Sequence, residues 1–501
     1  MIIISSSQVE MWDVFEITLM CSKNLKINPF VDVYVKAKFT NKETGNTKEI
    51  VGFYDGDNKW KIRFMPEELG EYYFKINSNI KEFDGKEGEF ESIEPSENNH
   101  GPVRVANKYH FSYADGTPFF VMGTTAYAWT YMPEEIRAKT LKSFEQYGFN
   151  KIRMLVFPKY YTGQRSNLDV SYEPPVWPFE GEPLNFDFRK PNPKYYQNFE
   201  NCIYELMKRN IQADVILFHP YDKWGISEKM SIDDMLIYIK YVVARFSAFR
   251  NVWWSLANEY NLLPFSLDTW DLIGSYLHAI DPYKHLISIH NLPMAPVYPN
   301  REWLTHISYQ HPNTYSLMIE LKKLYGKPVI DDEYQYEGNI EDDWGNSSAE
   351  LVVMRHWLSV MAGGYATHGE VYKKGENNKD LFWSYGGELV GESPKRLKFL
   401  KEIVESCPFQ ELEIDWANTD GHNTFSLSKG YDFYLMFFRY NLPGKYPWIG
   451  RWDMEEKYEA TYYDIWNCKM VGKEIVKSGI FTGDRMKITE WTVVKLQKLS
   501  K

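Results

Sequence analysis

Eight short apolar segments alternate with helical stretches between about residue 117 and residue 405 of this 501-residue chain. Each has the length of a buried strand, and strands that alternate with helices indicate parallel βα units. Eight such units close into a (β/α)₈ barrel, also called a TIM barrel. The predicted strands are Phe119–Gly123, Lys151–Phe157, Ala213–His219, Val252–Glu259, Leu286–His290, His306–His311, Val329–Glu333 and Gly364–Glu370.

The two ends of the chain have a different pattern. In Val31–Phe39 apolar and polar residues alternate, which is typical of a strand with one buried face. Short strands of this kind, separated by turn residues, predict an immunoglobulin-like (Ig-like) β-sandwich. Strand patterns return after Cys407, as in Phe433–Phe438. We therefore predict a multidomain fold with an Ig-like sandwich over residues 1–98, a barrel over 99–405 and a C-terminal β-sandwich over 406–501.

Composition bears on the partners of the chain. Lys and Arg number 57 against 68 Asp and Glu, which gives a net charge of −11, so we do not expect binding to nucleic acid. No apolar run approaches the ~18 residues of a membrane span. The first residues lack the basic region of a secretory signal, and we therefore expect a cytoplasmic protein. The sequence leaves open whether the chain forms a homo-oligomer.

Aromatic residues make up 17% of the chain. Their flat faces and polar edges suit stacking on sugar rings, and they also pack well on β-strands. The aromatic-rich segment Pro158–Pro193 is too long for an ordinary βα loop. We predict that it forms an ordered wall over the mouth of the barrel.

Two carboxylates end predicted barrel strands. Glu259 ends the fourth strand and Glu333 ends the seventh, and barrel enzymes place their catalytic groups at the carboxyl ends of the strands. A pair of carboxyl groups, one protonated and one ionised, is what glycoside hydrolysis requires. Neither a metal nor a cofactor is needed for this chemistry, and no HExxH motif is present in the sequence.

The pair Asn258-Glu259, together with Glu333, resembles clan A glycoside hydrolases, the superfamily that includes family five cellulases and mannanases. The resemblance implies that Glu259 is the acid/base and that Asn258 binds the sugar 2-hydroxyl. It also implies that Glu333 is the nucleophile of a retaining mechanism. Arg153, in the second strand, fits the position where the clan often has an arginine that keeps the nucleophile ionised.

The domain order carries a second resemblance. The segments 52–56 (GFYDG), 60–66 (WKIRFMP) and 123–127 (GTTAY) are similar to bacterial three-domain glycosidases with a barrel related to the apiosidase-like group. This likeness covers nearly the whole chain. It implies a carbohydrate substrate and the barrel flanked by two sandwiches that the patterns predict.

Further side chains at or near the predicted strand ends are candidate sugar contacts. The alternation leaves open whether Tyr309 or His311 matches the strand-six position of the clan that hydrogen-bonds the nucleophile. Glu370 is a third carboxylate, which could bind sugar hydroxyls or serve a different mechanism. The substrate-binding candidates besides Asn258 and Arg153 are His219, His290, Tyr309, His311, His368, Glu370, Tyr127 and Trp224.

These observations predict a retaining, exo-acting O-glycosidase that hydrolyses plant-type oligosaccharides or glycosides with two glutamates. A small substrate is expected because no secretory signal is seen, and exo action because Pro158–Pro193 would close one end of the cleft. Two alternatives stay open. One is a non-catalytic carbohydrate-binding or scaffold protein on a degenerate barrel. The other is a transglycosylase or a uronate lyase, although among the rim candidates only Arg153 is strongly basic.

Overall fold

The computed structural model describes residues 1–23, 25–163, 165, 168–374, 381–440, 446–482, 488 and 490–500. A parallel sheet of eight strands lies at its centre. The strands are β1 (Met122–Thr125), β2 (Lys151–Leu155), β3 (Gln212–Phe218), β4 (Val252–Ala257), β5 (Ile287–Ser288), β6 (Ile307–Tyr309), β7 (Val329–Asp331) and β8 (Tyr365–His368). They are hydrogen-bonded in the order β5-β4-β3-β2-β1-β8-β7-β6.

The sheet is nearly closed between β5 and β6. The Thr305 N–H donates to the Ile287 carbonyl at 2.9 Å, and the Ile287 N–H donates to Thr305 Oγ1 at 2.8 Å. These bonds bridge the gap where no ladder is formed. The predicted (β/α)₈ barrel is thus confirmed, although β1 begins three residues later than the pattern suggested.

Helices surround the barrel, and residues 289–306 connect β5 to β6 without one. Several helices begin at a capping serine, as α3 does at Ser231, which forms a capping box with Asp234. The helices are α1 (Glu134–Tyr147), α2 (Pro193–Met207), α3 (Ile232–Phe246), α4 (Leu267–Ile280), α5 (Ser316–Tyr325), α6 (Ala349–Met361), α7 (Phe382–Tyr385) and α8 (Ser393–Glu405). Short 3₁₀ turns lie at Trp129–Tyr131, Tyr260–Leu262, Asp343–Gly345 and Phe409–Glu411.

A three-stranded antiparallel sheet, Val103–Ala106, His110–Tyr113 and Pro118–Phe119, precedes β1. The Phe111 ring lies 5.2 Å from Trp253 and 5.4 Å from Tyr365, near the starts of β4 and β8. This sheet covers the amino-terminal end of the barrel, so a site is expected at the opposite end.

Two sheets form the N-terminal domain, and both contribute to one core of Phe15, Phe39, Phe74 and Phe90. Gln8–Glu10 and Phe15–Met20 are separate strands, because Trp12 between them has a φ of 64° and turns the chain. The first sheet contains, in order, Ile2–Ile4, Phe15–Met20, Lys59–Phe64 and Phe53–Tyr54. The second contains Gln8–Glu10, Glu87–Ile93, Gly70–Ser78, Val35–Asn41 and Thr47–Val51.

The C-terminal domain is built on a six-stranded antiparallel sheet. One face packs on the barrel, where Phe437 contacts Trp357 of α6 and Phe425 contacts Tyr315. The other face has its own core, which includes Ile449 from a small two-stranded sheet. The strands, in order, are Glu413–Ile414, Thr424–Lys429, Phe433–Phe438, Thr492–Lys498, Lys457–Asp464 and Lys469–Lys477, with Trp448–Ile449 and Gly479–Ile480 in the small sheet.

Flanking sandwiches around a barrel are therefore confirmed. The Ig-like topology and the boundaries at residues 98 and 405 stay predictions. Among the described helices, none is both long and apolar enough to cross a bilayer.

The predicted wall over the barrel mouth, Pro158–Pro193, contains two β-hairpins. Tyr160–Thr162 pairs with Asp169–Ser171, and Phe179–Glu182 pairs with Asn185–Pro191. A two-stranded parallel pair, Glu337–Gly338 with Glu370–Val371, lies beyond the ends of β7 and β8.

Candidate active site

Glu259 lies two residues beyond the end of β4. Its φ of 47° is in the left-handed region, which non-glycine residues seldom adopt and which is often retained at functional sites. The side chain lines a pocket at the carboxyl end of the barrel, yet Glu259 is only 4% exposed. The tight turn after Ala257 thus places a carboxyl group at the floor of the pocket.

Glu259 has two hydrogen-bonding neighbours. The Tyr221 hydroxyl donates to Oε2, and the Gln310 amide, with its nitrogen facing these acceptors, donates to Oε1 at 3.0 Å. Burial, followed by the nearby charge of Glu333, raises the pKa of Glu259 to about 8. At neutral pH this carboxyl group therefore holds a proton that it can donate.

Glu333 has the opposite environment. Arg153 Nη1 donates to its Oε1 at 2.8 Å, and the Tyr127 hydroxyl donates to the same oxygen. Burial disfavours the carboxylate, but the positive charge of Arg153 and these hydrogen bonds outweigh burial and lower the pKa of Glu333. Glu333 is therefore ionised when Glu259 is protonated.

His290, which follows β5, connects this pair to the barrel interior. Ser308 donates its single proton to Asp332 Oδ2 at 2.6 Å, so its oxygen must accept from His290 Nδ1 at 3.0 Å. Burial lowers the pKa of His290 to about 4, and the neutral ring thus presents an unprotonated Nε2. That atom lies 3.5 Å from Glu333 Oε1 and accepts from the Gln310 amide at 3.3 Å.

Asn258 also lines the pocket, beside Glu259. Its Oδ1 accepts a hydrogen bond from Arg153 Nη2 at 2.8 Å. Because Arg153 holds the oxygen, the amide nitrogen is left to donate to a bound ligand. One guanidinium thereby orients both Asn258 and Glu333.

The pocket has a volume of about 620 Å³. Tyr161, from the first hairpin of Pro158–Pro193, forms part of its wall, and its ring lies 5.4 Å from Trp383 and 5.6 Å from Trp344. Such rings offer apolar faces to a sugar. The aromatic lining consists of Tyr127, Tyr161, Tyr221, Tyr336, Trp344 and Trp383.

Lys159 is a basic group that the sequence reasoning missed. It is 1% exposed, and its Nζ has no hydrogen-bond partner among the described residues. Nζ lies 3.0 Å from the centroid of the Trp383 ring and 4.6 Å from that of Tyr127. Burial lowers the pKa of Lys159 well below its usual range. A lysine four residues beyond β2 was the available signal.

Two predicted strand-six contacts lie outside the pocket. Tyr309 is completely buried beside Asp331, and His311 Nδ1 accepts from the Asn313 N–H at 2.9 Å. Gln310, between them, lines the pocket instead. Successive side chains of an extended strand point in opposite directions, so Gln310 faces away from its two neighbours.

Three more candidates contact neighbouring parts of the fold and not the pocket. His219 contacts the Phe157 carbonyl at 3.3 Å and accepts from the Tyr221 N–H at 3.2 Å. His368 Nδ1 contacts Thr124 Oγ1 at 2.9 Å. Trp224 is buried under the second hairpin, 5.5 Å from the Trp177 ring. None of the three lines the pocket as described.

Glu370 forms a separate buried group with Glu337 and His368. One carboxylate oxygen or imidazole nitrogen from each of the three lies within 4.8 Å of the others. Glu370 accepts from the backbone N–H groups of Val390 and Gly391, both at 2.8 Å. Glu337 accepts from the N–H of Ser393, the first residue of α8, at 3.0 Å. Burial raises the pKa of Glu370 to about 7. These bonds hold the segment before α8 in place, away from the pocket.

Comparison with known proteins identifies related enzymes. Residues 105–411 match the family model described as apiosidase-like, catalytic domain, and residues 8–79 match a domain of unknown function, DUF5060. No curated protein matches the chain.

Solved structures agree with the family match. A candidate glycoside hydrolase from Bacteroides vulgatus is 34% identical, with a TM-score of 0.88 over 99% of this chain and 100% of that one. A family 5 glycoside hydrolase from the same organism is 18% identical, with a TM-score of 0.60 over 81% of this chain and 94% of that one, and shows a shared fold. The predicted resemblance to glycoside hydrolases is confirmed, and the chain belongs to the apiosidase-like family of these enzymes.

Proposed function

We propose that the chain is a retaining O-glycosidase in which Glu333 is the nucleophile and Glu259 the acid/base. The observation that carries this proposal is the split in proton affinity. The pKa of Glu259 is raised to about 8, whereas that of Glu333 is lowered. A protonated and an ionised carboxyl group beside one pocket are the two forms that double displacement needs at neutral pH.

In the first step a Glu333 oxygen attacks the anomeric carbon, and the bond to the leaving oxygen breaks. Glu259 transfers its proton to that oxygen, and a glycosyl ester forms on Glu333. In the second step the Glu259 carboxylate takes a proton from water, whose oxygen attacks the anomeric carbon and releases Glu333. Asn258, held by Arg153, donates to the sugar 2-hydroxyl in both steps.

The shape of the site supports exo action. The pocket of about 620 Å³ is walled by Tyr161, Trp344 and Trp383, and Arg165, which bonds to Asp343 at 3.3 Å, lies on the same side. A wall at one end suits release of a terminal sugar. Plant-type oligosaccharides or glycosides as substrates rest on the likeness to apiosidase-like enzymes. The cytoplasmic location and a homo-oligomer remain predictions.

The decisive test uses chromogenic pyranosides and furanosides, with the product anomer followed by proton NMR. Wild type should release product of retained configuration. Glu333→Ala should lose activity, and azide should restore it with a glycosyl azide of inverted configuration. Glu259→Ala should be far slower on poor leaving groups than on activated aryl glycosides.

Asp343→Ala is the matched control, since Asp343 is also a carboxylate of the pocket wall. It should keep the retained configuration and most of the rate. An inverted product from wild type would reject the retaining mechanism. Full activity of Glu333→Ala would reject its role as nucleophile.

A further inference from the structure

Exposed tryptophans are concentrated in one part of the molecule. Trp416, Trp448 and Trp452 are 63%, 45% and 84% exposed, and they account for all the exposed tryptophans of the described chain. All three belong to the C-terminal domain. Large exposed aromatic rings are unfavourable in water unless a partner covers them, and clusters of them mark binding surfaces.

The loops that carry these rings touch one another. Asn418, two residues after Trp416, exchanges hydrogen bonds of 2.7 Å with the backbone N–H and carbonyl of Trp448. The Arg451 guanidinium lies 5.6 Å from the ring centroid of Tyr431, which is 49% exposed. We call Trp416, Tyr431, Trp448 and Trp452 the aromatic patch.

The patch rests on an ordered support. The indole N–H of Trp448 donates to the Gly450 carbonyl at 3.1 Å, and the Gly450 N–H donates to the Tyr434 hydroxyl at 3.0 Å. The Arg451 N–H donates to Glu456 Oε2 at 3.1 Å. These bonds fix the Trp448–Arg451 segment, so the rings are displayed by a built surface.

A single loop connects the patch region to the rim of the active site. Gln310 and Pro312, between β6 and α5, line the pocket. Tyr315, at the end of the same loop, packs its ring 4.8 Å from Phe425 of the C-terminal sheet. The C-terminal domain thus adjoins the pocket rim through this loop.

We propose that the aromatic patch is a second carbohydrate-binding site, which holds a glycan outside the catalytic pocket. Indole and phenol rings match the apolar faces of sugar rings, and the Arg451 guanidinium beside Tyr431 offers donors to sugar hydroxyls. The carbohydrate substrate of the enzyme family supplies the ligand class. The proposal does not depend on the roles given to Glu259 and Glu333.

Affinity electrophoresis of the full chain in native gels tests this site. The gels contain pectin, arabinoxylan, galactomannan or soluble starch, and every variant is run in both the wild-type and the Glu333→Ala background, so binding is scored whether or not Glu333 is needed for hydrolysis. We expect at least one polysaccharide to retard the protein. The triple variant, which combines Trp416→Ala, Trp448→Ala and Trp452→Ala, should be retarded less. Its apparent Kd for that polysaccharide should rise at least about tenfold. Tyr204→Ala is the matched control, because Tyr204 is 46% exposed on α2, outside the C-terminal domain.

Retardation by none of the four polysaccharides, or equal retardation of the triple variant, would overturn the proposal. Sedimentation velocity tests the competing occupant of the patch, which is a second copy of this chain. A wild-type dimer that the triple variant converts to monomer, without glycan binding, would make the patch a self-association surface. Should the triple variant fail to fold, Trp452→Ala alone replaces it, since this side chain is the most exposed. Turnover of aryl glycosides is measured separately, so failure of the catalytic proposal is distinguishable.

Discussion

Two buried clusters of charged side chains differ in how completely they are paired. Where the N-terminal domain meets α2 and α3, Arg63 makes bidentate hydrogen bonds of 2.8 and 3.0 Å to Glu200. Arg245 bonds to Glu200 and to Asp55, both at 2.6 Å. We call these four residues the docking cluster.

In the active-site cluster, which comprises Arg153, Lys159, Glu259 and Glu333, the buried charged groups are less completely paired. Arg153 is paired with Glu333, but the Lys159 amine has no acceptor among the described residues and Glu259 retains a proton. Unpaired buried polar groups destabilise a fold. In the docking cluster, paired charges connect two domains, whereas the pocket keeps titratable groups in unfavourable forms, which is common at functional sites.

Breaking the docking cluster should give the largest effect on stability. Glu200→Gln removes the anion shared by Arg63 and Arg245, so each buried guanidinium keeps only one carboxylate partner, Glu16 for Arg63 and Asp55 for Arg245. We expect a loss of about 3–5 kcal/mol in the free energy of unfolding, with unchanged kcat for the protein that remains folded. Urea denaturation followed by fluorescence measures the loss.

Glu205→Gln is the control on the same helix. Glu205 bonds to Arg209 at 2.7 Å but lies at the surface, so its replacement should change stability by less than about 0.5 kcal/mol. Equal effects of the two variants would mean that complete pairing in the docking cluster does not stabilise the domain contact.

Removing the unpaired amine of Lys159 should raise the free energy of unfolding. Lys159→Met keeps the apolar stem and deletes the buried amine, so the protein should gain about 1–3 kcal/mol at pH 7. The pKa of Lys159 is lowered by burial, and the unfolded chain therefore binds the extra proton. The part of the gain that comes from this proton difference should be largest at low pH and disappear as the pH rises through the ordinary lysine pKa.

Activity of Lys159→Met should fall while its stability rises. Lys223→Met is the control, since Lys223 is a rim lysine that already bonds to Ser171 at 2.7 Å, and it should leave stability nearly unchanged. A destabilised Lys159→Met protein would show that the packing of the Trp383 and Tyr127 rings around this side chain depends on its ammonium group.

The barrel strands were easier to predict from the sequence than the residues of the pocket. Alternating apolar and helical segments predicted the eight barrel units, because buried parallel strands need continuous apolar runs. The pair Asn258-Glu259 was found through its likeness to known enzymes. Lys159 was missed because its burial depends on Trp383, which lies far along the chain. Gln310 was missed because a shift of one residue in a strand exchanges its two faces, and the pattern favoured Tyr309 or His311.

A smaller effect should follow from loss of one hydrogen bond to Glu333, the proposed nucleophile. Tyr127→Phe removes the hydroxyl that donates to Glu333 Oε1, so the carboxylate loses a stabilising donor and the pKa of Glu333 rises. We expect kcat/KM to fall about 10- to 100-fold and its acidic limb to move to higher pH. Tyr131→Phe is the control, because the Tyr131 hydroxyl accepts from the Lys159 backbone N–H at 2.9 Å. An unmoved acidic limb would contradict the assignment.

The smallest expected effect concerns the proton on Glu259. Because the pKa of Glu259 is raised to about 8, activity should decline as the pH rises through that value and the proton donor is lost. Tyr221→Phe deletes the hydroxyl that donates to Glu259 Oε2, and without this donor the carboxylate is less favourable. The basic limb of kcat/KM should then move to higher pH, by less than about one unit. Tyr161→Phe, on the same wall, should leave the limb in place. A basic limb that moves to lower pH in Tyr221→Phe would mean that the hydroxyl stabilises the protonated acid instead, and the pocket would then hold its proton by pairing, as the docking cluster holds its charges.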